Sequence, residues 1–151
     1  MNRIEVDLGF ERFPIEHTCE GVNISPPLRI KGAQGVSMAL IVDDPDCPTG
    51  TWVHWVIWNM PVLDLVPGNL PKQAEMERPF PARQGLNTGG EVGYDGPCPP
   101  RKHGPHRYFF HVYVLDRTLE LGPRTTEKEL RQAMEGHVLQ SGQAVATYER
   151  R

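Results

Sequence analysis

Three short stretches of this chain concentrate groups able to do chemistry. Asp43-Asp44-Pro45-Asp46-Cys47-Pro48 sets three carboxylates within four residues. Its prolines fix φ and push the residues before them toward extended backbone, which holds the carboxylates in one shape. His54 stands in Thr51–Met60, TWVHWVIWNM, among tryptophans. Gly93–Tyr108, GYDGPCPPRKHGPHRY, carries Arg101, Lys102, His103, His106 and Arg107 on a frame of glycine and proline. Glycines there let backbone N–H groups approach a ligand. Taken singly, each stretch has an ordinary reading. Asp and Pro are common in turns, a strand histidine is mostly a core or edge residue, and a basic loop aids solubility. Taken together, carboxylate, imidazole, guanidinium, phenol and loop N–H groups suit phosphate or another oxyanion.

These groups meet only if the elements bearing them lie side by side. Fifteen glycines and fifteen prolines exclude long helices nearly everywhere. Val36–Asp43 reads as a buried strand that ends at the acidic turn. Thr51–Met60 has strand composition. Strict alternation puts Trp52, His54, Val56 and Trp58 on one face, and Val53, Trp55, Ile57 and Asn59 on the other. Arg107–Asp116 is a third strand, and Ala144–Arg150 a last one. Thr126 and Glu129 form a capping-box pattern. The stripe Leu130, Ala133, Met134, His137, Val138 then predicts a helix over about 126–139, with Gly142 as its stop. Pro61–Thr88 reads as a long irregular surface excursion, of the kind that is often functional. The whole predicts a β-sandwich with a packed helix. The two polar loops then fall at the end of the first strand and the start of the third, and His54 lies early in its own strand, so the three converge at one end.

The chain's 151 residues fit one domain, able to bury about 70% of its unfolded surface. Its net charge of −3 argues against nucleic acid, which needs a basic stripe. No run approaches the roughly 18 apolar residues of a membrane helix. Met1–Phe13 carries Glu5, Asp7, Glu11 and Arg12 and does not read as a signal peptide. Cys19, Cys47 and Cys98 include no CxxC pair, so no zinc knuckle is expected. The expectation is a cytoplasmic protein with reduced thiols; the alternative is a secreted one with one disulfide and one free thiol.

Asp44-Pro45-Asp46-Cys47-Pro48, followed by Trp52-Val53-His54-Trp55 and Asn59-Met60-Pro61, resembles the first signature of the phosphatidylethanolamine-binding protein family. Gly93-Tyr94-Asp95-Gly96-Pro97-Cys98-Pro99-Pro100, followed by His106-Arg107-Tyr108, resembles its second. Gly21-Val22-Asn23-Ile24-Ser25-Pro26-Pro27-Leu28 is similar to the family too, particularly its short bacterial and archaeal Raf-kinase-inhibitor-like branch. The resemblance runs from about Phe13 to Tyr148. It implies a mostly β fold, a Greek-key β-sandwich with peripheral helices. It also implies a pocket for phosphate, acetate or the phosphorylethanolamine head group at Asp44, His54, Pro100, His106 and Tyr108, with Asp46, Trp52 and Cys98 beside it. Family roles range over head-group binding, kinase inhibition, serine-protease inhibition and developmental signalling, and short members are often homodimers. Cys47 stands where the family often has alanine, next to the pocket loop, so a Cys47–Cys98 pairing is left to geometry.

A carboxylate in an anion pocket must be compensated. Either Asp44 pairs with a protonated His54 or His106 and raises its pKa, or it accepts from a proton on the ligand. Binding then weakens as pH rises in the first case. The function expected is small-anion binding, with a regulatory role left open, and with no cofactor, no metal, no catalysis and no membrane insertion. The alternative is an inhibitor of a protease or kinase, using the 61–88 excursion or the pocket rim. A metal-dependent phosphoesterase built on Asp44, Asp46, His54 and His106 is less favoured, because no nucleophile with a paired base is evident.

Overall fold

A computed structural model describes residues 2–151. Two sheets face each other across the main core. The larger has seven strands, in the order β1-β10-β9-β4-β5-β8-β7: β1 is Asn2–Arg3, β4 Ser37–Asp44, β5 Trp52–Met60, β7 Glu75–Met76, β8 Ala82–Gln84, β9 His106–Leu115 and β10 Val138–Tyr148. The smaller sheet has the order β2-β3-β6, with β2 Glu5–Asp7, β3 Leu28–Lys31 and β6 Leu65–Val66. After the β4–β5 hairpin the chain makes a long detour and returns as β9 on the other side of β4, the crossing of a Greek key.

The three expected central strands are present to within a residue. Even-numbered positions of β4 and β9 (Met38, Leu40, Val42; Tyr108, Phe110, Val112, Val114) fill the core between the sheets. Ala39, Ile41 and Leu115 face the other way, onto the helix. β5 breaks the expected alternation. Val42 pairs with Trp55 but Asp43 with Val53, so His54 is an extra residue. At this bulge His54 and Trp55 both serve the inter-sheet side: Trp55 joins the main core and His54 meets Tyr108 edge-on at 5.2 Å between ring centres. Val56 and Trp58, expected on the face of His54, belong instead to the helix-side cluster. A β-bulge re-aims a side chain in this way, and here it delivers a histidine to the site.

The helix α1 is Glu127–Met134, shorter than expected. Its capping box is formed, with the Thr126 hydroxyl accepting from Glu129 N–H and the Glu129 side chain from Thr126 N–H; such a cap stabilises by about 1 kcal/mol. Gly136, at φ 80°, ends it rather than Gly142. Gly142 sits inside β10, where a Cβ would stand 2.4 Å from the Ile4 carbonyl oxygen. Its glycine admits the neighbouring N-terminal segment and has no part in the helix. The stripe positions His137 and Val138 thus lead into a strand much longer than the expected Ala144–Arg150.

The 61–88 segment is less free than expected. It supplies β6 to one sheet and β7–β8 to the other. Gln84 anchors it from within: its side-chain oxygen accepts from Trp55 Nε1 at 2.7 Å, and its nitrogen donates to the carbonyls of Pro71 and Gln73 at 2.7 and 3.0 Å.

Candidate functional site

Asp44 closes β4, His106 opens β9 beside it, and His54 comes from β5 on β4's other side. Antiparallel pairing therefore brings the three to one end of the sandwich, as the sequence reading requires. Asp44, His54, His106 and Tyr108 are only 3%, 5%, 2% and 1% exposed, so every polar atom there needs a partner.

The Asp44 carboxylate has two donors. Oδ1 accepts from Asp46 N–H at 2.7 Å, and Oδ2 lies 2.7 Å from His106 Nδ1. A carboxylate only accepts, so His106 carries a proton on Nδ1 and turns Nε2 away from Asp44. His106 Nε2 lies 2.6 Å from His103 Nδ1. His54 is not bonded to Asp44. Its Nδ1 lies 2.6 Å from the Asp95 carbonyl oxygen, and Asp95 N–H donates back to the His54 carbonyl at 3.0 Å. A carbonyl also only accepts, so His54 carries its proton on Nδ1. Burial lowers the His54 pKa, with the bond to Asp95 opposing. His54 is therefore the neutral imidazole with Nε2 as an acceptor, while the Asp44 pairing expected of either histidine falls to His106. Burial, helped by the charge of Asp44, raises the Tyr108 pKa far above its ordinary value and keeps the phenol a donor.

Asp46 is spent elsewhere. Its carboxylate accepts from Arg107 Nε and Nη2 at 2.9 and 2.8 Å and from Arg107 N–H at 2.9 Å. The side-chain bond from Arg107 leads the causes that bring its carboxyl down to about 2. The fork ties the acidic loop to the start of β9. Among the described residues no three His, Cys, Asp or Glu side chains are grouped as metal ligands would be.

The far wall is a second loop system. Cys19 and Cys98 form a disulfide with Cα atoms 5.4 Å apart, and Cys47 is free. This corrects the expectation of three reduced thiols, and it takes Cys98 away from any pairing with Cys47. Tyr94 O–H donates to the His17 carbonyl at 2.7 Å, and Gly96 N–H to Asn23 Oδ1 at 2.8 Å. A Cβ on Gly96 would stand 2.0 Å from the His17 carbonyl oxygen, so only glycine allows this approach. Together these contacts hold the Asp95 carbonyl against His54. Two residues expected in or beside the pocket have backbone roles: the Pro100 carbonyl accepts from His103 N–H at 3.2 Å, and Trp52, half-buried, pairs with Asp44 across the hairpin. The contribution of His103 escaped the sequence reading, although its spacing of three from His106 across Gly104 and Pro105 hinted at a turn that brings the rings together.

A groove of about 710 Å³ elsewhere is lined by Asn59, Gln73, Glu75, Met76, Arg78 and Arg83, among others. It shares no residue with the His54–His106 cluster, and two of its charges pair at its rim, Arg83 with Glu75 at 3.3 Å. The buried cluster remains the candidate on chemical grounds.

Comparison with known proteins gives the class. A sequence model described as phosphatidylethanolamine-binding protein matches residues 7–149, and the chain belongs to that family. It is similar to a UPF0098 protein of Pyrococcus abyssi, with 52% identity over 143 residues covering 93% of this chain and 80% of that one. A UPF0098 protein of Methanothermobacter thermautotrophicus is 45% identical over 142 residues, covering 92% and 91%. Among solved structures, the phosphatidylethanolamine-binding protein homologue CT736 from Chlamydia trachomatis superposes with a TM-score of 0.88 at 34% identity, covering both chains in full. YbcL of Escherichia coli gives 0.88 at 26%, covering 99% of each. No helix among the described residues is long and apolar enough to cross a membrane.

Proposed function

We propose that the protein binds a small proton-bearing oxyanion, phosphate or a phosphate monoester such as the phosphorylethanolamine head group, at His106, His54 and Tyr108. The observation that carries this is the buried Asp44–His106 pair. Asp44 holds the Nδ1 proton, so a second proton on the ring sits on Nε2, as a charged donor balanced by the carboxylate behind it. Tyr108 adds a neutral donor. His54 adds an acceptor, which suits a phosphate oxygen bearing hydrogen or an ethanolamine ammonium, and which sulfate cannot satisfy. The compensation required of Asp44 thus comes from His106, and the ligand's proton answers His54.

The reading is of binding without turnover: among the described residues the His106 ring is bonded to Asp44 and His103 and to no serine or cysteine placed as a nucleophile would be. It also includes a cytoplasmic location, against which the Cys19–Cys98 bond is the sharpest test; a thiol count on protein trapped directly from cells reads it. Homodimerisation is a further part of the reading, checked by sedimentation. Inhibition of a protease or kinase is the second reading. It draws support from the Gln84 bonds that tie Pro71 and Gln73 of the 61–88 segment to Trp55, and an inhibition panel decides. Calorimetric titration with phosphate, phosphorylethanolamine and sulfate tests the main proposal. Phosphate and phosphorylethanolamine binding, with sulfate much weaker, supports it. No binding, or equal binding of sulfate, overturns it.

A further inference from the structure

His103 is an exposed residue whose ring is bonded to a buried one. Its Nδ1 takes the nitrogen of His106 that faces away from Asp44, at 2.6 Å. The two rings cross at 63° with centres 4.8 Å apart. The loop that brings it there is shaped for the purpose. Lys102 and Gly104 adopt φ of 63° and 87°, His103 N–H donates to the Pro100 carbonyl, and Lys102 N–H donates to the Arg150 carbonyl at 3.1 Å. Arg150 Nε in turn donates to the Pro99 carbonyl at 2.7 Å.

We propose that His103 is the gate of the anion site: its ring occupies the place on His106 Nε2 that a ligand oxygen must take, and it is displaced by protonation and by the anion together. This rests on the anion-site reading above. The chemistry is a matter of counting protons. His106 Nδ1 keeps its proton toward Asp44. The bond between the rings holds one proton, given by His103 Nδ1 or by His106 Nε2. Ligand binding needs Nε2–H free, hence His106 doubly protonated and His103 turned away. If His103 is protonated as well, two N–H groups oppose each other and the bond breaks, which releases a cation beside the arriving anion. Acid therefore opens the gate and alkali closes it, and the site discriminates by pH as well as by shape. The other groups facing His106 are Asp44 from β4, Asp46 from the loop after it, and Tyr108 on its own strand, whose ring stacks at 6.5 Å. Asp46 is locked to Arg107 and Tyr108 stays protonated, so neither supplies a proton switch in the neutral range.

The test compares wild type, His103→Ala and His103→Asn by phosphate calorimetry at pH 6 and pH 8, with ratios taken at each pH so that phosphate's own titration cancels. A hydrogen bond of ordinary net strength closes a gate by about two- to tenfold. His103→Ala is therefore expected to bind phosphate about two- to tenfold tighter than wild type at pH 8, and equally or more weakly at pH 6. His103→Asn keeps a partner at the Nδ1 position without titrating, so its deficit relative to His103→Ala persists at both pH values. Nitrogen-15 spectra give an independent readout: a coupling across the His103–His106 bond at pH 8 that is lost at low pH. Equal binding by all three proteins, the same ratio at both pH values, or no coupling at pH 8 overturns the gate alone. Failure of wild type and both variants to bind phosphate at either pH overturns the anion reading and the gate with it.

Discussion

Replacing Asp44 by asparagine separates two views of why a carboxylate sits in an anion site. The change is nearly isosteric, and Asp44 and His106 side chains are 4% and 2% exposed with 2.7 Å between their atoms, so solvent does little to screen the effect. The asparagine oxygen still accepts from Asp46 N–H, which turns its NH₂ toward His106 Nδ1. A donor there demands a lone pair on Nδ1, and the ring's proton moves to Nε2. The variant thus presents a neutral Nε2–H donor without taking up a proton, while the wild type presents a charged one only after taking one up. A charged hydrogen bond is worth about 1.5–3 kcal/mol and a neutral one about 0.5–1.5, so at pH 6 the variant loses roughly 1–1.5 kcal/mol, or about five- to tenfold in phosphate affinity. Uptake of one proton limits the wild-type fall to about tenfold per pH unit. The variant lacks this fall, so by pH 8 it matches or exceeds wild type. Calorimetric titration at half-unit intervals of pH reads the ratio. If Asp44 merely repels anions, its removal tightens binding at pH 6, and that result, or an unchanged pH slope, refutes the reasoning.

Other consequences are simpler. Because the His54 pKa is lowered in the folded state, the unfolded chain binds the extra proton first, and the stability this group contributes is full above its unfolded pKa near 6.5 and lost as pH falls below it. Thermal melts should therefore decline less between pH 6.5 and 5 for His54→Asn than for wild type; the Asp46 contribution, with its carboxyl at about 2, is lost only below about pH 4. Replacing Cys19 and Cys98 by serine opens a loop with a sequence separation of 79, which should cost about 4 kcal/mol and lower Tm by roughly 8–16 °C; an unchanged melt would show that the bond does not constrain the chain. Gly96→Ala forces a methyl onto the His17 carbonyl and should move Asp95 off His54, which lowers both Tm and phosphate affinity. Retained affinity would show that this wall does not position the site.

Much of the fold was legible in the sequence because its central strands are long, apolar and bounded by turn residues. Asp44 and His106 were legible as neighbours because one closes a strand and the other opens one beside a stiff loop, but whether His106 or His54 takes the Asp44 carboxylate was left open. What escaped was non-local. No alternation rule foresees an extra residue opposite Val42 and Asp43, yet that bulge aims His54. A glycine inside a strand looks like a helix stop until the Ile4 backbone is seen against it. Cys19 finds Cys98 across a long detour, with nothing in their spacing to announce it. His103 was visible as a basic loop residue, but its bond to His106 depends on a left-handed Lys102 and on backbone contacts to the C-terminal strand's end.

The most direct test follows the chain's six histidines by nitrogen-15 NMR while phosphate is added at pH 6. The account predicts one saturable event that moves the His106, His54 and His103 rings together, with His106 Nε2 shifting toward a protonated donor, while His17, His111 and His137 stay still. Shifts spread over all six, or none at the buried Asp44–His106 pair, would contradict it.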